Sequence, residues 1–200
     1  LIFEIFEGGV IEIKKIGIVG NKAFSDRRLR RVLSTKQVGP FRAFVKSDTF
    51  VEDRIEFDKK VLRQFYISRG FVDFQVNSVN AELTEERDGY FVVFNITEGQ
   101  QFSVGNVAIK TSQKNLETDE YYKILKLKTG SVYSARIMEL DVEKIERLAL
   151  KNGLDFIKVK PEVIKDRSSL NLDVTYSIER GPRVVLERIN IAGNTATLDK

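Results

Sequence analysis

Gly99-Gln100-Gln101-Phe102-Ser103-Val104-Gly105-Asn106-Val107-Ala108-Ile109-Lys110-Thr111 decides the fold, because its apolar pattern is written three times in this chain. Phe102, Val104, Val107 and Ile109 follow Gly99 at offsets of three, five, eight and ten. The same offsets from Gly8 give Ile11, Ile13, Ile16 and Ile18, and from Gly181 they give Val184, Leu186, Ile189 and Ile191. The blocks end in Gly20-Asn21, Thr111-Ser112 and Gly193-Asn194, and their glycines are 91 and then 82 residues apart. A block recurring in fixed order at this period describes an array of modules. Alternation in a strand has period two, so the odd-to-even slip between the second and third apolar positions predicts a bulge or bend in every copy.

Working outward from the first block, Ile11 to Val19 reads as a strand. Ser25 or Asp26 can cap a short helix carrying Leu29, Val32 and Leu33. A long connection containing Gly39-Pro40 leads to a second helix, from about Val51 to Ser68, with Ile55, Leu62, Phe65 and Tyr66 at helical spacing. Gly70 stands where a C-terminal cap belongs. Val72 to Leu83 and Tyr90 to Thr97 read as two strands joined at Asp88-Gly89, a strong turn signal.

The second module repeats this grammar: Met138, Ile145, Leu148 and Gly153 answer Ile55, Leu62, Phe65 and Gly70. Asp58 and Asp141 also correspond, each twelve residues before its cap glycine, which points to a structural role. The expected fold class is α+β: tandem βααββ modules, each a three-stranded mixed sheet with two helices packed on one face. The expected division is residues 1–8 as the end of a preceding module, 9–99 and 100–181 as complete modules, and 182–200 as the start of a following one. Leu1 to Gly8 matches the module end Val93 to Gly99, so the chain reads as an excised piece of a longer array.

Composition narrows the function classes. The chain has 200 residues, 42% hydrophobic, with no histidine and no cysteine. That removes the commonest general base, the commonest transition-metal ligand and all thiolate chemistry, so no catalytic, cofactor or metal site is expected. Carboxylates such as Glu52, Asp53, Glu139 and Glu143 lie beside Lys and Arg at helical spacing, as on a solvated face. The net charge is only +4, and Arg27, Arg28, Arg30, Arg31 and Lys36 supply a basic helix that reads chiefly as solvated. No stretch approaches the roughly 20 apolar residues of a spanning helix.

Binding is the class that remains. The middle strand of each module must lie at a sheet edge, with unpaired N–H and C=O groups open to strand addition. The candidate positions are Phe74, Val76 and Val79 in the first module and Phe156, Lys158 and Lys160 in the second. Pro161 supports an edge there, because proline cannot donate to a central ladder. A parity slip near Asn77-Ser78 predicts a bulge that limits indiscriminate pairing. Phe91 and Val93 fall on the face opposite Tyr90, Val92, Phe94 and Ile96; they read either as residues covered by the long connection or a neighbouring module, or as an apolar partner patch on the open side of the sheet. Phe41, Phe44, Val45 and Phe50 in the long connection read as packing back on their own module, with contact to a neighbouring module or partner as the alternative.

The order and spacing of Ile16-Gly17-Ile18-Val19-Gly20-Asn21-Lys22-Ala23-Phe24, Leu62-Arg63-Gln64-Phe65-Tyr66-Ile67-Ser68-Arg69-Gly70-Phe71 and Asn95-Ile96-Thr97-Glu98-Gly99 resemble the POTRA (polypeptide-transport-associated) family. Lys128-Thr129-Gly130-Ser131-Val132-Tyr133 and Arg188-Ile189-Asn190-Ile191-Ala192-Gly193-Asn194 also fit. The resemblance covers essentially the whole chain. Tandem copies are similar to the periplasmic arm of outer-membrane protein assembly factors. It implies a non-enzymatic scaffold on the periplasmic side of the bacterial outer membrane. Its partners would be unfolded outer-membrane proteins, accessory assembly lipoproteins, adjacent POTRA modules and a C-terminal β-barrel.

The long inter-helix connection followed by a compact module suits the third and fourth modules of such an arm. In the family the third module's edge docks an accessory β-propeller lipoprotein. The best-aligned positions here are Asp73, Asn77 and Ala81, which depart from the charged and bulkier residues of the family pattern. The arm of a two-partner secretion or autotransporter-assembly transporter is the alternative within this class. A KH-like nucleic-acid array is the alternative from another class. The helix connection lacks the GXXG loop by which such modules hold a nucleic-acid backbone, so no nucleic-acid partner is expected.

Overall fold

The computed structural model describes residues 12–37, 52–111 and 116–181. The expectations placed on residues 1–8 and 182–200, on Gly39-Pro40, and on Phe41, Phe44, Val45 and Phe50 lie outside the described residues. The first module contains β1 (Glu12–Val19), α1 (Asp26–Val32), α2 (Glu52–Ile67), β2 (Gln75–Leu83) and β3 (Gly89–Thr97). The second contains β4 (Ser103–Thr111), α3 (Asp119–Ile124), α4 (Ala135–Lys151), β5 (Ile157–Asp166) and β6 (Asn171–Arg180).

Each sheet is mixed and three-stranded. The orders are β1-β3-β2 and β4-β6-β5, with the last strand of each module central, parallel to the first and antiparallel to the middle one. The helices cover one face, so alternate residues of the central strands go inside. Val92, Phe94 and Ile96 are buried in one module, and Leu172, Val174, Tyr176 and Ile178 in the other. Leu62 and Ile145, the equivalent helix positions, are wholly buried, each contributing roughly 1.5–3 kcal/mol of burial. The expected bulges are present, with register shifts between Ile13 and Lys15 and between Val104 and Val107.

Both long helices stop in the same way. Gly70 adopts φ +88° and Gly153 φ +77°, conformations that an L side chain resists. The N–H of Phe71 reaches back to the Tyr66 carbonyl at 3.1 Å, and that of Leu154 to Ala149 at 2.9 Å. These are the long-range bonds of a Schellman cap. Phe71 packs edge-on to Tyr66, supplying the apolar contact that accompanies such a cap.

The cap has a consequence for the next strand. Residues 71–74 form a turn, so β2 starts at Gln75 and not at Val72. Phe74 is fully buried and stacked on Tyr66 with ring centroids 4.2 Å apart. Val72 packs against the second module's core.

Candidate interaction edges

Each three-stranded sheet has two edge strands, and the structure treats them differently. On β1, the Ile16 N–H donates to Gln37 Oε1 at 3.4 Å, and Arg30 donates to the Ile16 carbonyl at 3.2 Å. On β4, the Ile109 N–H donates to the Tyr122 hydroxyl at 2.9 Å. On β5, the Val159 N–H donates to Glu146 Oε1 at 3.0 Å. Groups facing a free edge recur every second residue, so Pro161 is the next one along β5, and it has no N–H to offer. Side chains therefore occupy three edges.

The β2 edge is the exception. The Thr84 N–H pairs inward with the Gly89 carbonyl, so alternation turns the backbone groups of Val79, Ala81 and Leu83 outward. Among the described residues no side chain or backbone group takes them. A register shift between Val76 and Ser78 sets Asn77 at the expected bulge, where its amide donates to Thr97 Oγ1 at 2.9 Å. The bulge and the charge of Glu82 on the exposed half of the strand limit flat edge-to-edge aggregation.

The other predicted positions fall into separate places. Asp73 precedes β2 and pairs with Lys165 of the second module at 2.6 Å. Phe74 offers nothing to a partner. Its ring is in the core, its N–H donates to the Phe71 carbonyl, and its carbonyl accepts from Arg63. Val76 is half-buried against the first core. Lys158 is exposed, and Lys160 pairs with Glu179 at 2.6 Å. Phe156 is 50% exposed with φ +60°.

On the open face, Phe91 is 44% exposed in register with Lys15 and Glu82, while Val93 is half-buried in register with Gly17 and Asn80. A Cβ at Gly17 would sit 3.7 Å from Val93 Cγ2, so the glycine keeps that valine uncovered. The corresponding positions of the second module's central strand are Asp173 and Thr175, and the large apolar side chain on its open face is Ile164 of β5, 68% exposed in register with Asp173. An apolar residue on the central strand of the open face is found in the first module and not in the second.

Sequence reasoning found the edges and missed their guards. Gln37, Tyr122 and Glu146 each act on a strand 13 to 21 residues away through one side chain. Only Pro161 announced itself. Among the described residues no group of three or more carboxylates could hold a metal ion, and no helix is long and apolar enough to cross a membrane.

A family profile described as "Surface antigen variable number repeat" (POTRA) matches residues 11–99 and again 102–181. Outer membrane protein assembly factor BamA of Neorickettsia risticii is 27% identical over 94% of this chain and 25% of its own length. BamA of Neisseria meningitidis is 25% identical over 97% of this chain and 24% of its own length. The chain thus spans about a quarter of the length of the curated relatives it matches. The solved POTRA3-5 segment of Haemophilus influenzae BamA superposes with a TM-score of 0.69 at 17% identity, over 94% of this chain and 73% of that one. Haemophilus ducreyi BamA lacking POTRA domains 1–3 gives 0.61 at 17% identity, over 84% of this chain and 29% of that one. Both structural likenesses are of fold.

Proposed function

The chain belongs to the POTRA family, and from that premise we propose that it is a periplasmic segment of an outer-membrane protein assembly factor that holds extended clients at the β2 edge. The observation that carries this reading is the asymmetry among the four edges. β1, β4 and β5 each spend a side chain on an outward backbone group, while the outward groups of Val79, Ala81 and Leu83 have no such guard among the described residues.

An added strand would gain backbone hydrogen bonds with little dependence on its sequence, which suits a protein handling many unfolded β-rich clients. Its side chains on the helix-covered side would continue the apolar row of Val79, Ala81 and Leu83. That selects strands alternating apolar and polar residues, the pattern of a membrane barrel strand. The apolar patch at Phe91 and Val93 adjoins this edge and widens the surface available to a client or an accessory lipoprotein. The role is scaffolding and not catalytic, in keeping with a chain that has no histidine or cysteine.

The test is amide exchange with and without a peptide copying one strand of an outer-membrane barrel. Slowed exchange at Val79, Ala81 and Leu83, with residues 157–165 unaffected, is the expected outcome. Equal protection on β2 and β5, or none on either, would remove the basis for the proposal.

A further inference from the structure

α1 carries the sequence Asp26-Arg27-Arg28-Leu29-Arg30-Arg31-Val32, whereas its counterpart α3 carries Asp119-Glu120-Tyr121-Tyr122-Lys123-Ile124. Two buried carboxylates set the correspondence: Asp58 accepts the N–H groups of Ser34 and Thr35, and Asp141 those of Lys126 and Leu127. Arg27, Arg28 and Thr35 are therefore answered by Asp119, Glu120 and Leu127. The second module builds the same fold without this positive charge, so packing does not require it. Arg27 stands in the first turn of α1, where a cation opposes the helix dipole.

Arg27, Arg30, Arg31, Thr35, Lys36 and Gln37 line a cleft of about 360 Å³ against Ile16 of β1, the edge strand opposite β2. Among the described residues no Asp or Glu lines it. Acceptor oxygens around it are already engaged. The Ile16 carbonyl accepts from Arg30 at 3.2 Å, and Gln37 Oε1 accepts the Ile16 N–H at 3.4 Å. Lys36 Nζ donates to the carbonyls of Arg30, Arg31 and Leu33 at the end of α1. Asp26, the acid of this helix, accepts from Asn21 at 2.8 Å and lies 3.8 Å from Arg30. Donors are left over. The guanidinium groups of Arg27 and Arg31 and the amide N–H groups of Gln37 have no partner among the described residues. Thr35 is 1% exposed, and its buried hydroxyl makes no hydrogen bond. An unpaired buried hydroxyl costs stability, and Leu127 avoids that cost in the second module.

We propose that this cleft binds a phosphate monoester, with exposed Arg27 and Arg31 supplying charge and the Thr35 hydroxyl and Gln37 amide supplying further donors. Such a group carries about −1.5 to −2 charge near neutral pH and three strong acceptor oxygens. Guanidinium groups grip it through paired N–H donors. A single carboxylate has two oxygens and one charge, and would leave most of these donors unused. Arg30 and Lys36, held by backbone carbonyls, add positive potential from fixed positions. A soluble phosphate ester and the headgroup of phosphatidic acid present the same chemistry. The inference concerns the β1 side of the sheet and stands apart from strand addition at β2.

The test follows the amide NMR signals of the 200-residue chain as inorganic phosphate replaces chloride at constant ionic strength. Saturable shifts are expected at Arg31, Thr35 and Gln37, while Lys123 and Leu127 of the second module stay in place. Arg31→Gln should weaken binding about tenfold, the loss of one charge-assisted hydrogen bond. Arg28 lies over the Phe24 ring at 5.0 Å and does not line the cleft. Arg28→Gln makes the same charge change on the same helix and should leave the affinity at the parent's value. Thr35→Val keeps the side-chain volume and deletes the hydroxyl. It should weaken binding while the urea midpoint does not fall, a combination that a merely structural hydroxyl would not give. Glycerol phosphate and vesicles of phosphatidylcholine containing phosphatidic acid then separate the sources. The same shifts with the first and no vesicle binding identify a soluble ester, whereas vesicle binding lost in Arg31→Gln identifies the lipid headgroup. Shifts that do not saturate, equal losses in Arg28→Gln and Arg31→Gln, or tighter binding of an oligoglutamate peptide than of phosphate would overturn the proposal.

Discussion

The Asp141 carboxylate accepts the backbone N–H of Leu127 at 2.8 Å, from a position in α4 where it has no exposure to solvent. The Lys126 N–H donates to the same carboxylate at 2.8 and 2.9 Å, and Lys144 approaches it at 3.2 Å. Asp58 does the same in the first module, accepting from Ser34 at 2.6 Å and Thr35 at 2.9 Å. In both modules a carboxylate on the long helix holds the chain as it leaves the short one. Asp141→Ala leaves buried N–H groups without an acceptor and should lower stability by about 3 kcal/mol. Asp141→Asn keeps one acceptor and should lose less. Urea titration of both variants decides the matter, and an unchanged midpoint in Asp141→Ala would remove the clamp from the account.

This pair also shows what the sequence made legible. The helix pattern and cap glycines aligned Asp58 with Asp141 before any contact was known, and the parity slips marked the bulges at Ile13 and Asn77. These are local signals, because strand alternation and helical spacing are imposed by the nearest neighbours. The Asp73–Lys165 pair spans 92 residues, and the Glu146–Val159 bond depends on the packing of a helix over an edge. Neither leaves a periodic trace. Phe74 misled for a related reason: its apolar alternation with Val76 is genuine, but the Schellman turn places it in the core ahead of the strand.

Tyr66 makes the first module sensitive to alkali. Its hydroxyl donates to Glu98 Oε1 at 2.8 Å, and burial, followed by that bond and the Glu98 charge, pushes the phenol well above its ordinary value of 10.0. Tyr176, buried beside Asp141, is raised in the same sense. A raised phenol means that the folded state holds the proton more tightly than the unfolded chain. The stabilisation is therefore complete below about pH 10 and is lost as pH climbs beyond it. Unfolding free energies measured from about pH 8 to 11 should fall across the upper part of that range. Tyr66→Phe should flatten the fall, and a slope identical to the parent's would sink the assignment.

Gly70 should be the costlier of two left-handed glycines to replace. Gly70 and Gly130 adopt φ +88° and +80°, so an alanine at either carries about 1–2 kcal/mol of backbone strain. Only at Gly70 does the new Cβ also collide, at 2.7 Å, with the Phe102 carbonyl, whereas at Gly130 nothing lies within 4 Å. Gly70→Ala should thus lower the unfolding midpoint further than Gly130→Ala and disturb the Phe102 amide. Equal losses would mean that the contact with Phe102 yields freely.

Proline discriminates the two sides of β2. The Ala81 N–H faces outward, so Ala81→Pro leaves the ladder to β3 intact while deleting a donor from the open edge. The variant should fold with modest loss of stability and bind a strand peptide more weakly than the parent. Asn80→Pro deletes an inward donor and should unfold the module at lower denaturant. Undiminished peptide binding by a folded Ala81→Pro would argue that recognition lies on the open face, at Phe91 and Val93.

The guarded edge can be opened deliberately. On β5 two consecutive outward positions are closed, Val159 by the Glu146 carboxylate and Pro161 by its missing N–H. Either block alone interrupts the alternate donors that an incoming strand needs, so Glu146→Ala and Pro161→Val should each behave as the parent. The double variant restores outward N–H groups at residues 157, 159, 161, 163 and 165 and converts β5 into an edge resembling β2. It should self-associate in sedimentation velocity, or show slowed exchange over residues 157–165 when a strand peptide is added. Because Val163 and Ile164 are already exposed on this strand, the change adds backbone donors without adding a new apolar surface. Association in the double variant alone would identify the two blocks as the reason β5 stays unpaired; association already present in Glu146→Ala would show that proline contributes nothing to the guard.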